Sequence, residues 1–239
     1  MSRPLAARTA LVTGASRGIG EATARALAAL GARAVLVARD AAALDRVAGE
    51  LGHGALALAT DLTEPGATER LAARVLTALD GAPDIVVHAA GSFPLAAIEA
   101  ASDADLHLAL ALNVAAPLRL TRDLLSAMRA RGSGDIVTIG SVADRAVFPG
   151  NATYAASKHA LRAVHETLRM ETRGSGVRAT LVSPAATDTA LWDPHDPDTS
   201  PYLPSRTEML RAADVAEAVA WAVTRPAHID VEEIRLARS

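Results

Sequence analysis

The stretch Thr9-Ala10-Leu11-Val12-Thr13-Gly14-Ala15-Ser16-Arg17-Gly18-Ile19-Gly20 decides how this chain is read. A short apolar run leads straight into a loop with glycines at 14, 18 and 20, and an alanine-rich amphipathic stretch follows at once. Glycines in that setting let the backbone turn sharply and approach a diphosphate. The anion then rests on a helix N-terminus, where free N–H groups and the helix dipole favour negative charge. A tight turn without a ligand is the bland alternative. The loop's place after the first strand and before the first helix weighs against it.

Outward from this loop, short apolar runs alternate with helical patterns. Residues 9–13, 34–37, 55–59, 85–88, 135–140 and 177–182 are short, mainly apolar runs that read as buried parallel strands. Residues 18–30, 41–51, 64–79, 102–130, 152–173 and 212–224 read as helices, and a last strand is expected around Ile234. This alternation predicts an α/β fold, a Rossmann-like doubly wound parallel sheet of about seven strands with helices on both faces. A length of 239 residues suits one domain over 1–239. The exception is 183–206, rich in proline and aspartate and holding Trp192 and Tyr202. Connections of that length are either functional loops or loose surface excursions, and a substrate loop is the expectation.

Composition excludes several classes. Half the residues are apolar and 21% are charged, which argues against disorder. No apolar run approaches the ~20 residues of a membrane span. The net charge of -3 provides no basic field for nucleic acid or an anionic membrane, so neither is an expected partner. Cysteine is absent, which rules out disulfides, thiolate nucleophiles and cysteine-ligated metals. The histidines show no ligand spacing with carboxylates, so no catalytic metal is expected. Residues 1–7 lack the apolar core of a signal peptide, which leads to the expectation of a cytoplasmic protein.

Tyr154 and Lys158 lie four apart and share one face of their helix. Of 24 lysines and arginines, only Lys158 is lysine, and Tyr154 is one of two tyrosines. An ammonium beside a phenol favours the phenolate, so the pair is expected to bring Tyr154 from its ordinary value near ~10 toward neutrality. Arginine would be bulkier and could not release a proton. Ser141 ends a strand on the carboxyl edge, where open α/β sheets bind ligands. Asn113 lies inside a helical pattern with Pro117 four residues later. Lacking an N–H, Pro117 leaves the Asn113 carbonyl free for another donor, with a simple proline kink as the bland alternative.

The glycine spacing resembles that of the short-chain dehydrogenase/reductase family in its single-domain form. Other motifs of that family follow in order: Asp61-Leu62, His88-Ala89-Ala90-Gly91, Asn113, Ser141 and Tyr154-Ala155-Ala156-Ser157-Lys158. The resemblance covers nearly the whole chain. It implies hydride transfer between a nicotinamide cofactor and a carbonyl or secondary alcohol, with Asn113, Ser141, Tyr154 and Lys158 as the catalytic set. In that resemblance Ser141 bonds the substrate oxygen, and the Asn113 main-chain carbonyl holds a water that links Lys158 to solvent. Cofactor contacts are implied for Gly14, Ser16, Arg17, Gly18, Ile19, Gly20, Arg39, Asp61, Leu62, Ala90, Gly91, Tyr154, Lys158, Pro184, Thr187 and Thr189.

Family members that use NAD usually carry an acid at the position of Ala38. Here Ala38 leaves room for a 2′-phosphate, and Arg39 and Arg17 offer planar donors to it, so NADP(H) is expected in preference to NAD(H). Asp40 is a rival ribose acid, but it more naturally caps the helix starting at residue 41. Two departures stand out: His88 in place of the usual Asn, and Ala185 where the family commonly has Gly. Phe93, Val142, Phe148, Asn151, Leu191 and Trp192 are the expected substrate-pocket residues and suit an apolar ketone or aldehyde, with Arg145 as the discordant charge. The resemblance also implies a homotetramer or homodimer built through 102–130 and 152–173. A catalytically idle NADP-binding sensor or scaffold is the competing class, but it has no need to retain all four catalytic residues.

Overall fold

The computed structural model describes residues 3–239. Met1 and Ser2, the start of the stretch read for a targeting signal, lie outside the described residues. The strands are β1 (Thr9–Thr13), β2 (Arg33–Ala38), β3 (Leu56–Ala59), β4 (Ile85–His88), β5 (Gly134–Ile139), β6 (Val177–Pro184), β7 (Thr187–Asp188), β8 (Leu210–Arg211) and β9 (Glu233–Leu236). Seven of them form one sheet in the order β3-β2-β1-β4-β5-β6-β9, every neighbouring pair parallel. The order reverses between β1 and β4, so their carboxyl ends open a crevice at the switch point.

Because the inner strands β1, β2, β4, β5 and β6 are buried on both faces, alternate residues feed two cores, whereas the edge strands β3, expected to be buried, and β9 are partly open to solvent. Ala10 and Val12 of β1 and Leu36 of β2 pack against α1 (Gly18–Ala29), α2 (Ala41–Leu51) and α7 (Ala212–Val223). Leu11 and Val35 enter the other core, with α3 (Ala67–Leu79), α5 (Ala116–Arg131) and α6 (Ala152–Thr172). Fully buried leucines such as Leu27 and Leu124 each stabilise the fold by about 2 kcal/mol on burial. Among the described residues no helix is long and apolar enough to cross a membrane.

Two expected helices need correction, and the loose-excursion alternative for 183–206 is set aside. The helix expected over 64–79 begins only at Ala67, because Gly66 stands at φ 70°, in the left-handed region, after Pro65. The helix expected over 102–130 is two, α4 (Asp103–Leu110) and α5, joined by a π turn over Ala111–Ala115 in which the Ala116 N–H reaches back to the Ala111 carbonyl. Pro117 cannot donate, and the ladder changes register just ahead of it; such π turns cluster at functional sites. The segment 183–206 is not a structureless excursion. Ser183 and Pro184 complete β6, Thr187–Asp188 pairs with Leu210–Arg211, and Ala190–His195 forms a 3-10 turn. Arg206 stitches the rest by ion pairs to Asp188 and Asp193, both 2.6 Å, while its N–H donates to Asp198.

Candidate active site

One cleft of about 1150 Å³ runs along the carboxyl ends of the strands. At one end its wall is the 14–20 loop with Ala38, Arg39, Asp61 and Leu62, and at the other Ser141, Tyr154, Phe93, Phe148 and Trp192. Ala90, Gly91, Lys158, Pro184, Thr187, Thr189, Val142, Asn151 and Leu191 also line it. Of the expected catalytic, cofactor and substrate residues, only Asn113 stands behind the wall.

The loop owes its shape to close approach. Gly14 has φ 70°, and a Cβ on Gly20 would lie 2.3 Å from the Gly14 carbonyl oxygen, far inside contact distance. Thr13 ties the neighbouring β4 loop to this turn, its hydroxyl accepting from the N–H groups of Ala89 and Ala90 at 3.1 Å. The residue before α1, Arg17, makes no side-chain cap, so its side chain leaves the helix N-terminal N–H groups open to an anion. Arg17 and Arg39 are exposed on the rim, and among the described residues neither forms an ion pair. An anionic dinucleotide therefore fits this end. Asp40 does cap α2, accepting from the Ala43 N–H at 3.0 Å. Asp61 is held by Thr63, whose hydroxyl and N–H both donate to it and keep its carboxyl below the ordinary range, with Arg39 contributing further.

At the other end α6 carries Tyr154 and Lys158. Lys158 is buried and donates from Nζ to the Ile139 carbonyl of β5 at 2.9 Å, and the Nζ stands 5.6 Å from the Tyr154 ring centre. Burial pulls the ammonium down to about 8, opposed by the charge of Asp144. Tyr154 is half-buried by area yet hemmed in by protein. That desolvation pushes its hydroxyl up to about 12; the Ser141 hydroxyl opposes the rise and the Asp144 charge adds to it. The expected fall of Tyr154 toward neutrality is thus not what the protein alone produces. Burial dominates at Tyr154, and the Lys158 ammonium is engaged by a backbone carbonyl.

Ser141 is buried and also caps a short 3-10 turn, Val142–Asp144, accepting from the Ala143 N–H at 3.1 Å. Asn113 works as a strut. Its Oδ1 accepts from the Ser92 N–H at 2.8 Å, and its Nδ2 donates to the Ser92 carbonyl and to the Ser157 hydroxyl. Asn151 likewise accepts from the Phe148 N–H. Phe93 packs edge-on against Tyr154, Trp192 and His195, with ring centres 4.7, 4.8 and 5.2 Å apart, and His195 donates to the Phe93 carbonyl. Nothing in the sequence around His195 marks it, and only this contact across the chain brings it to the site. Arg145 is engaged by Asp144 and Glu233, which removes the discordant charge from the pocket. His88 is buried and bonds Thr121. Asp144 is a further site residue that the sequence reading misses, although its place three residues after Ser141 carries a capping signal.

The family model described as short chain dehydrogenase matches residues 8–200. An uncharacterized oxidoreductase of Mycobacterium tuberculosis is 39% identical over 234 residues, spanning 95% of this chain and 89% of the relative. A metagenomic short-chain oxidoreductase solved in complex with NADP superimposes with a TM-score of 0.85 at 32% identity, covering 99% of each chain. An alcohol dehydrogenase from the archaeon Thermococcus sibiricus, complexed with 5-hydroxy-NADP, has a TM-score of 0.85 at 30% identity over 96% of this chain and 95% of that one.

Proposed function

The chain belongs to the short-chain dehydrogenase family and is an oxidoreductase, and from that premise we propose an NADP(H)-dependent carbonyl reductase or alcohol dehydrogenase acting on an apolar ketone or aldehyde. The observation that carries the reading is the convergence of Ser141, Tyr154 and Lys158 on one end of a cleft whose other end is built for an anionic dinucleotide. Ala38 and the exposed pair Arg17 and Arg39 support NADP(H) over NAD(H), as do similar structures solved with NADP or a derivative.

The nicotinamide, when bound, supplies or accepts the hydride at the substrate carbon. Tyr154 gives its proton to the substrate oxygen. With its hydroxyl pushed up to about 12, it holds that proton at neutral pH, the form reduction requires. Ser141 orients the oxygen and stabilises the charge that develops on it. Lys158 provides the positive charge that eases proton loss from Tyr154, and the Asn113 carbonyl within the π turn holds the water that restores the proton. Phe93, Val142, Phe148, Leu191 and Trp192 form the apolar pocket, and the segment from Ala185 to Arg206 acts as the substrate loop that excludes water. Leu106, Leu110 and Leu118, all exposed on or beside α4 and α5, support assembly as a homodimer or homotetramer.

A panel of ketones and aldehydes assayed by NADPH consumption tests the reading. Turnover of apolar members, abolished in Tyr154→Phe, is the expected result. NADPH binding without consumption of any carbonyl compound would instead mark an idle cofactor-binding protein.

A further inference from the structure

Among the described residues Asp144 is the charged side chain beside the reacting groups that the proposed reaction does not use. It is 1% exposed, although carboxylates are seldom buried without a task. It closes the turn after β5, where its Oδ2 accepts from the Ser141 N–H at 3.4 Å and from the Ser183 hydroxyl of β6 at 2.5 Å. Its Oδ1 accepts from Arg145 Nε at 2.7 Å, and Arg145 reaches on to Glu233 of β9. Space is reserved for it: a Cβ on Gly140 would stand 2.7 Å from Oδ2 and 2.7 Å from the Ser183 hydroxyl. The turn packs on α6, the helix that carries Tyr154 and Lys158, and the Asp144 charge pushes both groups up. The ionisable groups around it are therefore Arg145 on its own turn, Glu233 from β9, and Tyr154 and Lys158 from α6.

We propose that Asp144 is a positioning residue that holds the Ser141 turn and places a fixed negative charge beside the Tyr154–Lys158 pair, setting the pH at which that pair exchanges its proton. The inference rests on the reductase reading for its consequence but not for its test. A buried carboxylate raises the affinity of both neighbours for protons. It keeps Lys158 charged against burial and holds the proton on Tyr154. Arg145 cancels part of this field, and Glu233 in turn steadies Arg145.

The chain contains one lysine and two tyrosines, so both neighbours can be titrated without any assay of turnover. In a Tyr202→Phe background, tyrosinate absorbance reports Tyr154 alone. The pH dependence of acylation, resolved by peptide mapping from the N-terminal amine, reports Lys158 alone. Asp144→Asn keeps the shape and removes the charge, and both midpoints should move to lower pH by about one unit. Arg145→Gln removes the partial cancellation and should move both midpoints upward. If Asp144→Asn does not fold, the Arg145→Gln shift decides by its sign. Midpoints that stay put, or that move the same way in both variants, overturn the proposal, because a purely structural carboxylate would not produce opposite shifts. Opposite shifts in a protein that consumes no NADPH with any carbonyl compound would uphold Asp144 and refute only the reductase reading.

Discussion

Arg39→Ala isolates the feature on which the cofactor assignment turns. Arg39 lies on the rim just after β2, exposed, beside Ala38 and across from Arg17 in the glycine loop. It forms no ion pair among the described residues, so its removal should leave thermal stability within about 0.5 kcal/mol of the parent. A charge-assisted hydrogen bond to a phosphate contributes about 1.5 to 3 kcal/mol, and solvent exposure places Arg39 at the lower end. About 1.5 kcal/mol corresponds to roughly a tenfold weaker NADPH dissociation constant. The Asp61 carboxylate, which now feels the Arg39 charge, would be left without that neighbour and would add to the loss. NADH lacks the 2′-phosphate and should bind almost unchanged. Parallel fluorescence titrations with NADPH and NADH measure the ratio directly. Repeating them at raised ionic strength should shrink the parent's NADPH preference, because exposed charges are screened over about 10 Å at 0.1 M salt. Equal weakening of both cofactors would refute the assignment and place Arg39 against a group the two share, such as the diphosphate.

Amine acylation can reach only Lys158 and the N-terminal amine, so activity should decline in step with Lys158 modification and NADPH should slow it; full acylation at undiminished turnover would end the Tyr154–Lys158 mechanism. Lys158→Arg should fold yet lose most of the rate, since a broad guanidinium cannot take the ammonium's place against the Ile139 carbonyl. Acid should destabilise the fold through His88 and His165, both pushed down to about 4, chiefly by burial. The unfolded chain takes up their protons near ~6.5 and the folded chain does not. Stability is therefore full above that pH and falls toward pH 4, by up to about 1.4 kcal/mol per pH unit for each histidine. Urea midpoints measured across that window check this, and a midpoint as high at pH 4.5 as at pH 7 would contradict it.

Features set by a few neighbouring residues are legible in the amino-acid sequence alone. The strand and helix alternation, the turn at 14–20, the cap at Asp40 and the shared face of Tyr154 and Lys158 all rest on backbone geometry that repeats over one or two turns. The apolar runs also identify the inner strands as buried on both faces, and that is enough for a parallel sheet. The π turn at Ala111–Ala115 is half legible: Pro117 announces a disturbed ladder, but spacing cannot say whether the chain kinks or changes register. Contacts between distant segments leave no such local mark. Asp144 meets Ser183, Arg145 meets Glu233, and Phe93 meets Trp192 and His195 only because the ends of β4, β5, β6 and β9 and the segment after β6 converge on one sheet edge. The ionisation of the Tyr154–Lys158 pair belongs with these contacts. Two residues on one helix face suggest an ammonium that lowers a phenol, whereas burial is summed over every element packed around them. That sum raises Tyr154 to about 12, and the tertiary fold turns Lys158 toward the Ile139 carbonyl.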